Sequence, residues 1–306
     1  MAKSFLTLLA HHGRLCLVGG LLAGLFAPGL AAALKPWLPH MVAGLVTVSA
    51  LRIGHNAALG GIRMGGDIAG RVLALQVAAP ILVITALNLF GLNATTVGLS
   101  LALALAGPSI SGGPAITAMM GFDPTRTMQL LLVGTLLLPV TILPVLWLQP
   151  AIGGFDEVLL AALRLCGVIV LAAGTGFALR AYLLPDPDRS DIEALDGLSA
   201  LALAIIVVGL MSAVGPALRD SPHALVGWLA LAFAVNFGMQ AMGLAVFRSI
   251  PEAIVAGNRN IALFLVALPA TVIDPVLVFI GCYQIPMYLT PVILGRFYRG
   301  YLRRDA

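Results

Sequence analysis

Apolar residues along this chain come in long runs, punctuated by short clusters of proline, glycine and charge. Ten such runs stand out, at 14–34, 36–53, 71–91, 95–121, 127–148, 158–184, 195–218, 223–247, 251–269 and 276–294. Most approach the roughly 20 residues that a helix needs to cross a bilayer, well beyond ordinary strand length. The pattern predicts an all-α membrane protein with ten transmembrane helices. The one plainly hydrophilic connection is "PDPDRSDIEALDG", between the sixth and seventh runs.

Two runs are interrupted at depth. The fourth carries "GPSISGGPAITAMMG", in which Pro108, Gly112, Gly113 and Pro114 remove a backbone donor or weaken helix, so a break is predicted. The ninth, "PEAIVAGNRNIALFLVALPA", places Arg259 between Asn258 and Asn260, just after Gly257. Arg259 falls roughly 12 Å along the helix from Pro251. A central charge costs on the order of 2.5–3.5 kcal/mol, so it needs a partner or a wet cavity.

The two interruptions correspond. The fifth run contains "LPVTILPV" (Pro139, Pro144) and the tenth "IPMYLTPV" (Pro286, Pro291), separated by a constant 147 positions, 139 to 286 and 144 to 291. The same offset lays Asn260 over Gly113. This predicts two five-span repeats, 1–154 and 155–306, within one integral membrane unit. Five is odd, so the second repeat enters the membrane inverted, with the broken fourth and ninth helices in matching places. Paired broken helices of this kind mark a midplane binding site in secondary transporters.

Composition narrows the class. The chain is 60% hydrophobic and only 10% charged, against about 25% charged in soluble domains. The excess of Lys and Arg, 17 over 13 acids, therefore reads as topology rather than nucleic-acid binding. Lys3, Arg14, Arg52, Arg63, Arg71, Arg126, Arg180, Arg189, Arg248, Arg296, Arg299, Arg303 and Arg304 fall on the side of the termini. The opposite connections hold Lys35 and Arg219. That bias puts both termini in the cytoplasm, in a multi-pass protein of the inner membrane. Arg164 and Arg259 fit neither set, and Arg164 is expected to snorkel or pair locally. Cys16, Cys166 and Cys282 lack metal-ligand spacing and read as small buried hydrophobes, and the five histidines, His55 among them, as interfacial. No enzyme signature is present: there is no metal motif, nucleophile elbow or phosphate loop.

At these residues the chain resembles the bile acid:sodium symporter family. "SGGPAITAMM" is similar to that family's Gly-Gly-Thr-Ala-Ser-Asn crossover segment, and "VAGNRNIAL" to its Glu-Val-Gly-Met-Gln-Asn segment. "LALQVAAP" is similar to its third-span Gln followed by Pro. The resemblance implies ten spans in two inverted repeats whose fourth and ninth helices unwind and cross. It also implies two sodium ions, bound by oxygens that fall here on Ile116 and Thr117, on Val255 and on Arg259, with Gln76 one residue out of register. An alkyl group stands where the carboxylate would be, and a fixed cation has arrived.

The expectation is a secondary transporter of a small organic anion, with sodium coupling weakened or lost and no cofactor. Its partners would be that anion and the bilayer. Arg259 would act as a built-in positive charge or receive the anion, since a guanidinium can grip a carboxylate through two parallel hydrogen bonds. Asn258, Asn260, Gly257, Ser109, Ser111, Gly112, Gly113, Thr117 and Asn236 would complete the site, with Gln240 one turn from Asn236. Asp274 is the candidate charge partner of Arg259, with Asp123 a second. Two alternatives stay open: a sodium-dependent symporter with rearranged ion sites, and a transport-inactive receptor or scaffold.

Overall fold

A computed structural model describes residues 2–54 and 65–305; Arg63 and His55 lie outside the described residues, as do the side chains of Arg14, Arg303 and Arg304. The chain folds as helices α1 (Ala2–His11), α2 (Gly13–Phe26), α3 (Pro28–Leu34), α4 (Leu38–Ile53), α5 (Gly65–Leu73), α6 (Ala79–Leu89), α7 (Thr96–Ala106), α8 (Gly113–Met119), α9 (Thr125–Trp147) and α10 (Phe155–Leu183). There follow α11 (Arg189–Leu210), α12 (Val214–Asp220), α13 (Pro222–Phe247), α14 (Ile250–Gly257), α15 (Ala270–Ile273), α16 (Leu277–Ile293) and α17 (Gly295–Asp305). No strand occurs among the described residues, only an isolated antiparallel bridge between Ser109 and Arg259.

Among the described residues six stretches are each long and apolar enough to cross a membrane: Gly66–Leu89, Thr125–Trp147, Phe155–Leu183, Arg189–Asp220, Pro222–Phe247 and Ala270–Ile293. They make this an all-α protein built for the membrane, because only helices or closed barrels satisfy their backbone in lipid. The six coincide with the third, fifth, sixth, seventh, eighth and tenth runs of the sequence. The second run is a single helix of 16 residues, α4, and the first, fourth and ninth are in pieces.

The sequence expectation of one helix over 14–34 is corrected. α2 ends at Phe26, Ala27 leaves helical geometry at φ −116° and ψ 68°, and α3 restarts on Pro28. Proline lacks the amide that would continue the helix and pushes its predecessor out of the α region. The tenth span likewise starts at Ala270 rather than near 276, through a 3₁₀ turn at Asp274–Val276.

The chain divides into two compact units, each drawing segments from both the 1–154 and 155–306 halves. The first comprises Met1–Gly60, Leu163–Val226 and Ala262–Gly281. Here α1, α2 and α4 pack on α11, closely enough that an added Cβ at Gly20 would meet the Ala204 carbonyl oxygen at 2.5 Å. Small residues let helix backbones approach when lipid gives no hydrophobic drive between helices. Charges sit at helix ends: Lys3 on Asp191 at 2.7 Å, Arg52 on Asp196, and Arg180 Nη1 donating to the Leu51 carbonyl at 3.1 Å. Arg164 is exposed, with no ion pair among the described residues. Cys166 is exposed as well; of the three cysteines only Cys282 is buried, which corrects the reading of all three as buried.

The second unit comprises Gly61–Ala162, Gly227–Ile261 and Cys282–Ala306. It holds α5–α9, most of α13, α14, most of α16 and α17, and with them both predicted breaks.

Candidate functional site at the helix breaks

The fourth run leaves helix at Gly107 and resumes at Gly113; the ninth leaves it at Asn258 and continues as a 3₁₀ turn at Ile261–Val266. The two irregular segments meet. The Ile110 amide donates to the Asn258 carbonyl at 2.9 Å, and the Asn260 amide to the Pro108 carbonyl at 2.8 Å. Each break thus satisfies part of the other's freed backbone, as burial requires.

Arg259 lies at this bridge with 1% of its surface exposed, and each of its three nitrogens donates to a backbone carbonyl. Nε reaches Ala256, Nη1 reaches Gly107 and Nη2 reaches Leu75, all at 2.9 Å. All three acceptors have local causes. Ala256 is in the last turn of α14 and Gly107 ends α7, where carbonyls lose their intrahelical donors. Leu75 is orphaned differently. The π turn Ala74–Ala78 directs the Ala79 amide to the Ala74 carbonyl, so Leu75 would next draw on Pro80, which has no N–H. The guanidinium therefore closes two helix C-termini and one proline gap at once. C-terminal helix ends carry partial negative charge, which favours a cation there.

Around this cation lies a hydrogen-bonded amide and hydroxyl network. Asn236 Nδ2 donates to the Gly257 carbonyl at 2.5 Å, and the Tyr283 hydroxyl donates to the same oxygen at 2.7 Å. Gln240 Nε2 donates to Asn236 Oδ1 at 2.8 Å and reaches Thr290 Oγ1 at 3.0 Å; Tyr298 donates to Gln240 Oε1 at 3.0 Å. Asn258 Nδ2 donates to the Ile254 carbonyl at 2.8 Å, and its Oδ1 lies 3.2 Å from the Thr290 hydroxyl. Gly257 is obligatory here, because a Cβ would overlap the Asn236 carbonyl oxygen and Gln240 Cγ.

On the other break, Thr117 pairs with Thr127 at 2.9 Å and donates to the Gly113 carbonyl at 3.0 Å, while Ser109 is buried beside Gly113. Gln76 is buried in the π turn and accepts from Thr141 at 3.0 Å. Ser111, Gly112 and Asn260 alone among the expected substrate residues keep part of their surface open.

The expected acids are elsewhere. Asp274 pairs with Lys35 at 3.0 Å, which corrects its assignment to Arg259. Asp123 accepts from the Thr125 hydroxyl at 2.7 Å and from its amide, and these bonds hold its carboxyl below the ordinary range. No carboxylate pairs with Arg259 among the described residues.

The positions that the symporter resemblance assigns to sodium do not suit it. Ile116 and Val255 present buried alkyl groups, Thr117 is engaged with Thr127 and Gly113, and the nearby carbonyls already accept from Arg259.

The sequence reading missed Glu252. It is fully buried, accepts from Arg126 Nε at 2.6 Å, and lies 2.9 Å from Arg71 Nη1 in an ion contact off the hydrogen-bonding direction. Asp67 bonds both arginines, through Arg71 Nε at 2.9 Å and through Arg126 Nη2, so α5, α9 and α14 are tied by two acids and two arginines. The available signal was Ser249-Ile-Pro-Glu252, a Ser-x-x-Glu helix start. Thr290 and Tyr283 had no comparable signal.

No protein-family model matches the chain, and no curated protein matches it either.

Proposed function

We propose that this protein is a secondary transporter that moves a small organic anion by alternating access, with Arg259 standing in for a coupling cation. The observation that carries this reading is the guanidinium held by the carbonyls of Ala256 and Gly107, at the ends of two broken helices, and of Leu75 in the π turn. Unwound carbonyls and half-helix C-termini are what transporters use to hold sodium or a proton carrier. A tethered cation in that cradle makes a mobile one unnecessary. Its charge also has no carboxylate partner among the described residues, which favours an anion nearby. Ser111 and Asn260 have open surface and no side-chain hydrogen bond within the described residues, so they are the groups left to hold that anion.

The architecture proposed with this function is ten spans in two inverted five-span repeats, of the bile acid:sodium symporter kind. The proline spacing, the two breaks and their pairing at Ser109 and Arg259 support it. Positive-charge bias supports cytoplasmic termini in an inner membrane.

A second reading, a transport-inactive receptor, draws on the mutual saturation of Asn236, Gln240, Asn258 and Thr290, all buried. A ligand-stabilisation screen separates the two. Purified protein is melted with a panel of mono- and dicarboxylates, with sodium and with choline as the cation. The transporter reading expects one carboxylate class to raise the melting temperature equally in both salts. Asn260→Ala should abolish that rise without lowering the unliganded melting temperature. A rise seen only with sodium overturns the tethered-cation reading, and binding without uptake into proteoliposomes supports the receptor.

A further inference from the structure

We propose that the second unit carries a binding groove for an anionic phospholipid, with Arg248 as its headgroup anchor. A groove of about 370 Å³ runs between the end of α13 and the amphipathic α17, lined by Phe237, Leu244, Ala245, Phe297 and Tyr298 with Arg248 on it. That volume is at the lower end of ligand pockets, which occupy about 300–1,000 Å³. The lining is apolar and aromatic, suited to an acyl chain, and the groove flanks a helix that crosses the membrane by length and composition.

Arg248 gives the groove its chemistry. It is exposed, and no carboxylate pairs with it among the described residues. Its φ is +48°, the one positive value at a non-glycine position among the described residues. Its amide caps α13 on the Leu244 carbonyl at 2.8 Å, a left-handed helix end that glycine occupies most readily. An arginine at that position sets backbone ease against a guanidinium beside the groove. α17 adds Arg296 and Arg299 one turn apart, and Arg299 also donates to the Met120 carbonyl at 3.3 Å. Basic clusters where an amphipathic helix meets a span recognise lipid phosphate. Tyr298 lines the groove while its hydroxyl is committed to Gln240.

The test uses the full chain in nanodiscs of phosphatidylcholine alone or with one-third phosphatidylglycerol. Phosphatidylglycerol should raise the melting temperature by about 3–5 °C. Arg248→Gly removes the guanidinium while easing the backbone. It should melt like the parent in phosphatidylcholine and lose the rise. Ala245→Trp fills the groove and should lose the rise with its charges intact. An equal rise in both variants overturns the proposal. So does an equal rise in the parent with inorganic phosphate added to phosphatidylcholine discs, which would mark a phosphate site independent of the acyl chain.

Discussion

Arg259 Nη2 lies 2.9 Å from the carbonyl oxygen of Leu75, 184 positions earlier in the chain. That carbonyl has no helical donor, because Ala79 serves Ala74 and Pro80 has no amide. Arg259→Ala would strand it together with those of Gly107 and Ala256. A loss of about 3–5 kcal/mol is expected, or roughly 5–10 °C in melting temperature. Millimolar guanidinium should restore part of the loss by refilling the cradle, and Arg259→Lys should fall between, having a point charge but no fork. An unchanged melting temperature in Arg259→Ala would show that the three bonds contribute nothing.

Glu252→Gln leaves Arg71 and Arg126 facing a neutral amide. Removing one member of a buried charge cluster costs about 3–5 kcal/mol, reduced here to about 2–4 because both arginines are part-exposed. In a double-mutant cycle with Arg126→Gln, the second substitution should cost far less than it does alone. Additive losses would place the stability of α14 elsewhere.

Three glycines at the breaks form a graded series. Gly257→Ala drives a methyl into the Asn236 carbonyl and should abolish folding or cost several kcal/mol. Gly107→Ala meets the Asn260 carbonyl oxygen at 3.3 Å and should be mildly destabilising. Gly112→Ala meets nothing within 4 Å and should be near neutral. Thermal melts of the three in one detergent give the ranking, and a different order would mean that the breaks relax on substitution.

Asp188 caps α11 in a capping box. The Ser190 hydroxyl and then the Asp191 amide hold its carboxyl down at about 2 from an ordinary 3.8. A depressed carboxylate stabilises the folded state above its unfolded value, and loses that contribution as pH falls toward the folded one. The melting difference between the parent and Asp188→Ala should therefore be full at pH 6 and shrink between about pH 4 and pH 2. A difference constant down to pH 2 would assign the effect to helix geometry alone.

Much of the fold was legible because its signals are local. Length and apolarity mark the long spans, since lipid demands continuous hydrogen-bonded helix. Pro108, Gly112, Gly113, Pro114 and Gly257 mark the breaks, since each weakens helix through its own backbone. Pro28 carried a signal of the same kind, hidden inside a run that was apolar on both sides. The polarity of Asn258, Arg259 and Asn260 was equally plain.

What tertiary structure decided is where those groups spend their hydrogen bonds. A sequence displays side-chain acids but no free carbonyls, so an acid such as Asp274 was the natural partner to expect for Arg259. The carbonyls of Gly107, Ala256 and Leu75 become acceptors only once two helices end and a third skips a donor at the same place. Asp274 and Glu252 went to other cations for the same reason: a carboxylate pairs with whichever base the packing brings within reach. The sequence by itself determined that a buried arginine had to be answered. Only the meeting of the two broken helices determined that backbone, rather than carboxylate, would answer it.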